Sequence, residues 1–369
     1  MIVQFIVILL ILFLGFEFSR RKFPDKDSNR KKYIQIISFI LILQSGLRNV
    51  AVGADTYAYY ESFEELKRIS WSGIYDSILD YYKFGIGKDV GFIVFEKIVQ
   101  YFTGEYQLFL MLIAVLFFTA LGNFIYKNTT RLYDAIIAFV IYSVLFYAFF
   151  SITGHRQTIA TAVTLYSFEL IKKKKLIAFV IMILIASTIH KSALLFLPFY
   201  FIAQISNAKY FYRIVLLLFP VIMINRNAIS TYFKVLGGYE EYGINEQAGT
   251  FMFTAMFLLI SLVALLRTKS ILKFNPNARY YYNAFAVALL FLPLTWVNPS
   301  AMRVVQYFSI FMLLFIPEII HSFSTVSIKI KRDITIFTII ILIVLFIKSN
   351  WNGAQYAFFW QEMSLPDNY

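Results

Sequence analysis

Uninterrupted apolar runs such as "FIVILLILFLGF" (5–16) recur along the whole chain. Runs of this kind constrain the fold more than any motif. Lipid offers no hydrogen bonds, so a backbone embedded in it must satisfy every N–H and C=O internally, and a continuous apolar run does so as a helix. A transmembrane barrel would show short alternating segments instead. Charged residues make up 15% of the chain, against about 25% in soluble domains. The sequence therefore predicts an all-α polytopic integral membrane protein. About 12 transmembrane helices are expected, near 2–18, 33–47, 106–126, 134–151, 155–171, 176–189, 192–205, 211–225, 248–266, 281–297, 303–320 and 334–347. The first is expected to be retained, because no basic residues precede it and "SRRKF" follows it where a cleavage site would need small residues. Residues 176–205 would reach ~45 Å as one helix, so they are read as two spans joined by a tight turn at "HK" (190–191).

Charge sets the orientation. The short loops 19–32, 127–133, 172–175, 206–213, 267–280 and 321–333 carry 22 of the 34 Lys and Arg, which places them in the cytoplasm and both termini outside. The net charge of +13 and the "KKKK" at 172–175 are thereby accounted for without nucleic acid. Cysteine is absent, so disulfides and thiolate metal sites are excluded. The three histidines show no metal-ligand spacing, and neither a metal nor another cofactor is expected. "PDKDS" places Asp25 and Asp27 in a DxD pattern, but its loop is too short for a nucleotide-binding domain and the pair reads as a solvated turn. No Pro- or Ser-rich linker divides residues 1–369, which read as a single membrane domain with a long extracytoplasmic loop (47–105) after the second span. In that loop "DVGFIVFEKIVQYF" sets Phe92, Phe95, Ile98, Val99 and Phe102 at helical spacing, the pattern of a helix lying at the membrane interface. The segment 226–247, with "GGYEEYG", and the C-terminal tail also fall outside.

With this topology, Arg48, Asp55, His155, Arg156, His190, Lys191 and Arg303 all lie at the outer boundary. The spans that begin beside them run inward, so their N-termini, with free N–H groups and partial positive charge, point outward and suit phosphate. One arginine at a helix end commonly snorkels, and Tyr and Trp gather at interfaces whatever the function. A charge inside the membrane costs at least ~2.5–3.5 kcal/mol, so several on one face read as the lining of a polar cavity. Tyr57 and Tyr60, among the tyrosines of the outer loop, serve either the interfacial belt or stacking on sugar rings. His321 falls on the inner side and reads as structural.

Four stretches carry a resemblance: "RNVAVGADTYAYY" (48–60), "GHRQTIATA" (154–162), "ASTIHKSALLFLP" (186–198) and "AMRVVQYF" (301–308). In their order they resemble the EpsG family of Wzy-type polysaccharide polymerases over roughly residues 45–320. The first departs from the commoner G-T-D element by having Ala54. The resemblance implies a polymerase in the bacterial cytoplasmic membrane, its site facing outside. Such an enzyme moves a growing glycan from undecaprenyl diphosphate onto the next lipid-linked repeat, with a flippase and a chain-length regulator as partners. On that substrate Arg156 and Arg303, supported by Arg48, are expected to hold the diphosphate. His190 is preferred as base because its ordinary pKa lies near neutral pH; Asp55 is the other catalytic candidate, as base or as a group orienting an arginine. His155, Gln157 and Lys191 are expected in support. A transporter would instead carry charges near the bilayer midplane and broken helices in paired repeats. A transferase using a polyprenyl-monophosphate donor would use a metal, which Asp55, Glu61 and Glu64 could hold, and a ligase would differ mainly in its acceptor.

Overall fold

A computed structural model describes residues 2–20, 26–53, 55–87, 89–237, 251–350 and 356–363, and among them every regular element is helical apart from a single bridge pair, Arg48 and Phe358. Asp25, the "GGYEEYG" stretch and most of the C-terminal tail lie outside the described residues. The chain divides into two compact units, 1–194 with 340–369, and 195–339. The first contains α1 (Ile2–Arg20), α2 (Lys26–Gly46), α3 (Thr56–Leu66), α4 (Trp71–Phe84), α5 (Val90–Phe102), α6 (Tyr106–Asn128), α7 (Leu132–Leu145), α8 (His155–Lys172) and α9 (Leu176–Ile189). The second contains α10 (Phe199–Ile202), α11 (Ala208–Ile224), α12 (Arg226–Gly237), α13 (Phe251–Phe274), α14 (Ala278–Phe291), α15 (Ala301–Ser309) and α16 (Met312–Ser322); α17 (Ile328–Asn350) spans the boundary.

Helix is present at each apolar segment of the sequence. Among the described residues α1, α6 and α13 are long and apolar enough to cross a bilayer, and the number is five where each of the bent pairs α11–α12 (88°) and α15–α16 (48°) counts as one span. Of the remaining helices, α2, α8 and α17 run 21, 18 and 23 residues but carry charged residues at their ends, and the others are short. Helices of 14 residues such as α7 and α9 measure about 21 Å, below the ~30 Å hydrocarbon core. α7 gives way to a π-helical turn, Ala148–Thr153, and α14 to a 3-10 turn, Leu292–Trp296, that contains Pro293. The membrane character thus stands on the long apolar helices, while the expectation of about 12 crossings rests on the others as well. The break at His190 falls where the polar pair placed it: His190 is extended (φ −153°, ψ 109°) and a 3-10 turn, Lys191–Phe196, follows.

In the first unit α2 lies against α6 because glycines permit it. A Cβ on Gly46 would stand 2.7 Å from Met111 Sδ, and one on Gly122 would stand 2.6 Å from Ser38 Oγ. Further out, α3, α5, α6, α8 and α9 share an apolar cluster of Phe63, Phe92, Val99, Tyr106, Phe109, Leu110, Ile113, Ile159 and Ile189. Each such ring or branched chain contributes about 1.5–3 kcal/mol when fully buried. α5 forms where its periodicity predicts, but Phe92, Phe95 and Val99 pack onto this cluster while Ile98 and Phe102 stay exposed. Asp27 is in the first turn of α2, where its carboxylate accepts from Arg30 and, at 2.7 Å, from the Tyr126 hydroxyl.

Candidate functional site

The loop after α2 is fixed by the π-helical turn before α8. Ser45 Oγ donates to the Ser151 carbonyl (3.0 Å) and Thr56 Oγ1 to the Ile152 carbonyl (2.8 Å). Gly53 sits at φ +105°, and a Cβ there would lie 2.5 Å from Ile152 Cγ2, so only glycine fits this crossing. On the other side the tail returns to make the single bridge: Asn49 N–H donates to the Ala357 carbonyl (2.9 Å) and Phe359 N–H to the Leu47 carbonyl (2.9 Å).

Arg48 is enclosed by these contacts and is 2% exposed. Its guanidinium donates to the Ser45 carbonyl and, at 2.5 Å, meets His155 Nε2. Arginine has no lone pair to offer, so Nε2 must be the acceptor and the ring is the neutral Nδ1–H tautomer. Nδ1 faces the Tyr106 hydroxyl at 3.5 Å, and the Tyr59 ring lies 4.4 Å from the imidazole. Among the described residues no carboxylate pairs with Arg48. It is a buried cation, without a counter-ion among the described residues, at the N-terminus of a helix, α8, whose cap residue is Gly154 and offers no side chain.

The adjacent residue, Arg156, opens toward a second group. Its Nη1 donates to Asp89 Oδ2 (2.9 Å), its Nε to the Tyr59 hydroxyl (3.2 Å), and its guanidinium lies 5.5 Å over the Tyr59 ring. Asp89 precedes α5 in the left-handed region (φ 51°, ψ 50°). The same Oδ2 lies 3.4 Å from His190 Nδ1, and Oδ1 accepts the Lys191 backbone N–H at 3.1 Å. Burial alone would raise this carboxyl, but the His190 hydrogen bond and charge, the Arg156 charge and the Lys191 N–H together hold it below its ordinary value. A carboxylate on Nδ1 leaves Nε2 as the basic atom of His190, the arrangement by which an acid orients a general base. Gly91 makes it possible: a Cβ there would fall 2.3 Å from Thr188 Oγ1, so only a glycine lets α5 reach the end of α9.

Arg48, His155, Arg156, His190 and Lys191 are therefore gathered in the first unit around Asp89 and Tyr59. Gln157, next along α8, is buried and Lys191 is exposed. Asp55 begins α3 with an exposed side chain that makes no capping hydrogen bond; the carboxylate that meets His190 and Arg156 is Asp89. Tyr57 and Tyr60 are half-buried, their rings 5.8 Å apart, with Tyr60 5.3 Å from Tyr106. Arg303 is on the first turn of α15 in the second unit. Among the described residues no three or more His, Asp or Glu side chains gather as metal ligands would.

Two acids escaped the sequence reading. Asp89 opens the stretch already read as a helix, in the cap position that favours Asp. Glu96 interrupts the apolar stripe between Phe92 and Val99, which is itself a signal. It is 1% exposed, its Oε1 has no hydrogen-bond partner, and burial pushes its carboxyl up to about 8 against the lowering charge of Arg156.

The model of the EpsG family matches residues 31–363. No curated protein and no solved structure matches the chain.

Proposed function

Because the chain belongs to the EpsG family of Wzy-type, exopolysaccharide polymerase-like proteins, we propose that it is a membrane glycosyltransferase that extends a polysaccharide on a lipid carrier. The donor is a growing glycan on undecaprenyl diphosphate, and the acceptor is the next lipid-linked repeat. The reaction takes place at the outer leaflet of the bacterial cytoplasmic membrane, between the flippase that delivers repeats and the regulator of chain length.

The observation that carries this reading is Arg48: a buried guanidinium with no carboxylate partner among the described residues, against a neutral histidine and the N-terminus of α8. An anion supplied by the substrate would balance it. In the transfer, the bond from the sugar C1 to the diphosphate oxygen breaks and the acceptor hydroxyl oxygen bonds to C1. The hydroxyl proton passes to His190 Nε2, held by Asp89 on the opposite nitrogen, and undecaprenyl diphosphate leaves with the electron pair. Arg48 and Arg156 stabilise the departing charge; base catalysis adds roughly 10²–10⁴-fold.

The test is polymerisation of lipid-linked repeats by purified protein. Arg156→Ala is expected to retain the fold and lose turnover. Near-normal polymer from folded Arg156→Ala and Arg48→Ala proteins would remove the diphosphate assignment.

A further inference from the structure

Two adjoining clefts lie on the α3–α5 loop of the first unit, outside the cluster around Asp89. The smaller, of about 250 Å³, is lined by Tyr60, Glu64, Lys67, Tyr106, Gln107 and Phe359 among others. Its Tyr106 is the residue whose hydroxyl faces His155, so this cleft backs onto the Arg48–His155 pair. The larger, of about 670 Å³, shares Lys67 and Gly104 with it and continues over Arg68, Trp71, Lys97 and Tyr101. That volume is within the roughly 300–1,000 Å³ of small-ligand sites.

The lining of the larger cleft has a definite chemistry. Trp71 is 51% and Tyr101 81% exposed, and they come from different helices, the start of α4 and the end of α5. Lys67, Arg68 and Lys97 supply three cations, and no acid lines the cleft. Lys67 is steadied by Glu64 and Lys97 by the Leu66 carbonyl (3.0 Å). Arg68 makes no side-chain hydrogen bond or ion pair among the described residues. Flat aromatic faces take the apolar faces of pyranose rings, and Arg68 and Lys97, which no acid pairs among the described residues, call for negative charge on the same ligand.

We propose that the larger cleft is a track for an acidic glycan. The saccharide runs over Trp71 and Tyr101, with carboxylate or phosphate substituents on Arg68 and Lys97, while the smaller cleft, lined by Glu64 and Glu105 with Lys67 as its one cation, lies outside the track. The proposal rests on the polymerase reading and adds to it that the repeat unit is anionic. A lipid surface would also accept aromatic and basic residues, but these border a recess between helices, which favours a ligand of limited width.

The experiment uses the full chain in phosphatidylcholine nanodiscs, titrated with hexagalacturonate, with maltohexaose as the neutral control. Hexagalacturonate is expected to bind, and more weakly as salt rises; maltohexaose is expected to bind at least fivefold more weakly. Trp71→Ala and Tyr101→Ala should each weaken the acidic ligand about fivefold, and Arg68→Gln with Lys97→Gln should remove most of the salt dependence. Equal affinity for the two oligosaccharides, or no affinity for the acidic one, overturns the proposal. So does quenching of Trp71 by brominated phosphatidylglycerol, which would assign the surface to lipid. Arg156→Ala separates the two readings: lost polymerisation with retained hexagalacturonate binding supports both, and retained polymerisation sinks the catalytic assignment while leaving the track.

Discussion

The guanidinium of Arg48 donates to Nε2 of His155 from a position 2% exposed to solvent. One group is permanently cationic and the other is held neutral by that bond, so the pair carries a net positive charge into the interior, and no carboxylate among the described residues offsets it. A charge buried without a partner costs several kcal/mol, whereas loss of the hydrogen bonds to His155 and to the Ser45 carbonyl costs about 1–3 kcal/mol each. The two effects are of similar size. Arg48→Met is therefore expected to melt near the temperature of the parent, while turnover falls about 10²–10³-fold, the scale of removing one preorganised donor. Thermal unfolding in neutral detergent and a polymerisation assay on one preparation check both halves. A large drop in melting temperature would make Arg48 a structural residue.

Asp89 serves three partners at once, so its loss separates its roles. Asp89→Asn keeps the size and can still accept the Lys191 N–H, but it no longer carries the charge that orients His190 and pairs with Arg156. Turnover is expected to fall about 10²-fold or more, and Asp55→Asn, exposed at the start of α3, is expected to stay within about twofold of the parent because it touches none of these groups. Steady-state polymerisation by the two proteins decides between the carboxylates. Similar losses in both would return Asp55 to the site.

Gly91→Ala is expected to act at a distance. The added methyl would overlap Thr188, and overpacking of this kind typically costs 1–3 kcal/mol as elements move apart. The elements here are α5 and the end of α9, so Asp89 should separate from His190. Gly91→Ala Thr188→Gly should restore part of the activity, since it removes Oγ1 and Cβ, the two nearest of the atoms that collide. Recovery in the double variant is the readout; an additive loss would mean that the glycine matters for another reason.

What could be read from the sequence follows from the range of each interaction. Apolar periodicity is local, and the helices at 106–128, 155–172 and 176–189, with the break at His190, are where it predicts them. The cluster of Arg48, His155, Arg156 and His190 was legible from a charge count along the membrane boundary. Asp89 was not, because it reaches His190 across 101 residues of chain, through a close approach that depends on one glycine. The choice among tyrosines was also out of reach. Tyr57, Tyr59 and Tyr60 are neighbours in sequence, but helical phase turns Tyr59 onto His155 and Arg156, while Tyr57 and Tyr60 face each other. Phase on a helix of 11 residues is set by its packing partner, and that partner is distant in sequence.

Glu96 gives a pH dependence of defined sign. Burial lifts its carboxyl from 4.5 to about 8, so between those values the folded protein holds a proton that the unfolded chain has released. Its contribution to stability is complete below about pH 4.5 and is lost as pH rises through about 8. Glu96→Gln retains the shape and cannot ionise, so this decline should vanish. The parent and the variant are expected to melt together near about pH 5 and to diverge by about pH 9, with the variant the more stable. Arg156 opposes the upward shift, so Arg156→Gln should extend the decline to higher pH, a coupling that a purely steric role for Glu96 would not produce. Melting temperature followed across that range for the three proteins is the measurement. Parallel curves for the parent and Glu96→Gln would mean that the carboxyl is ionised in the fold and that water reaches it.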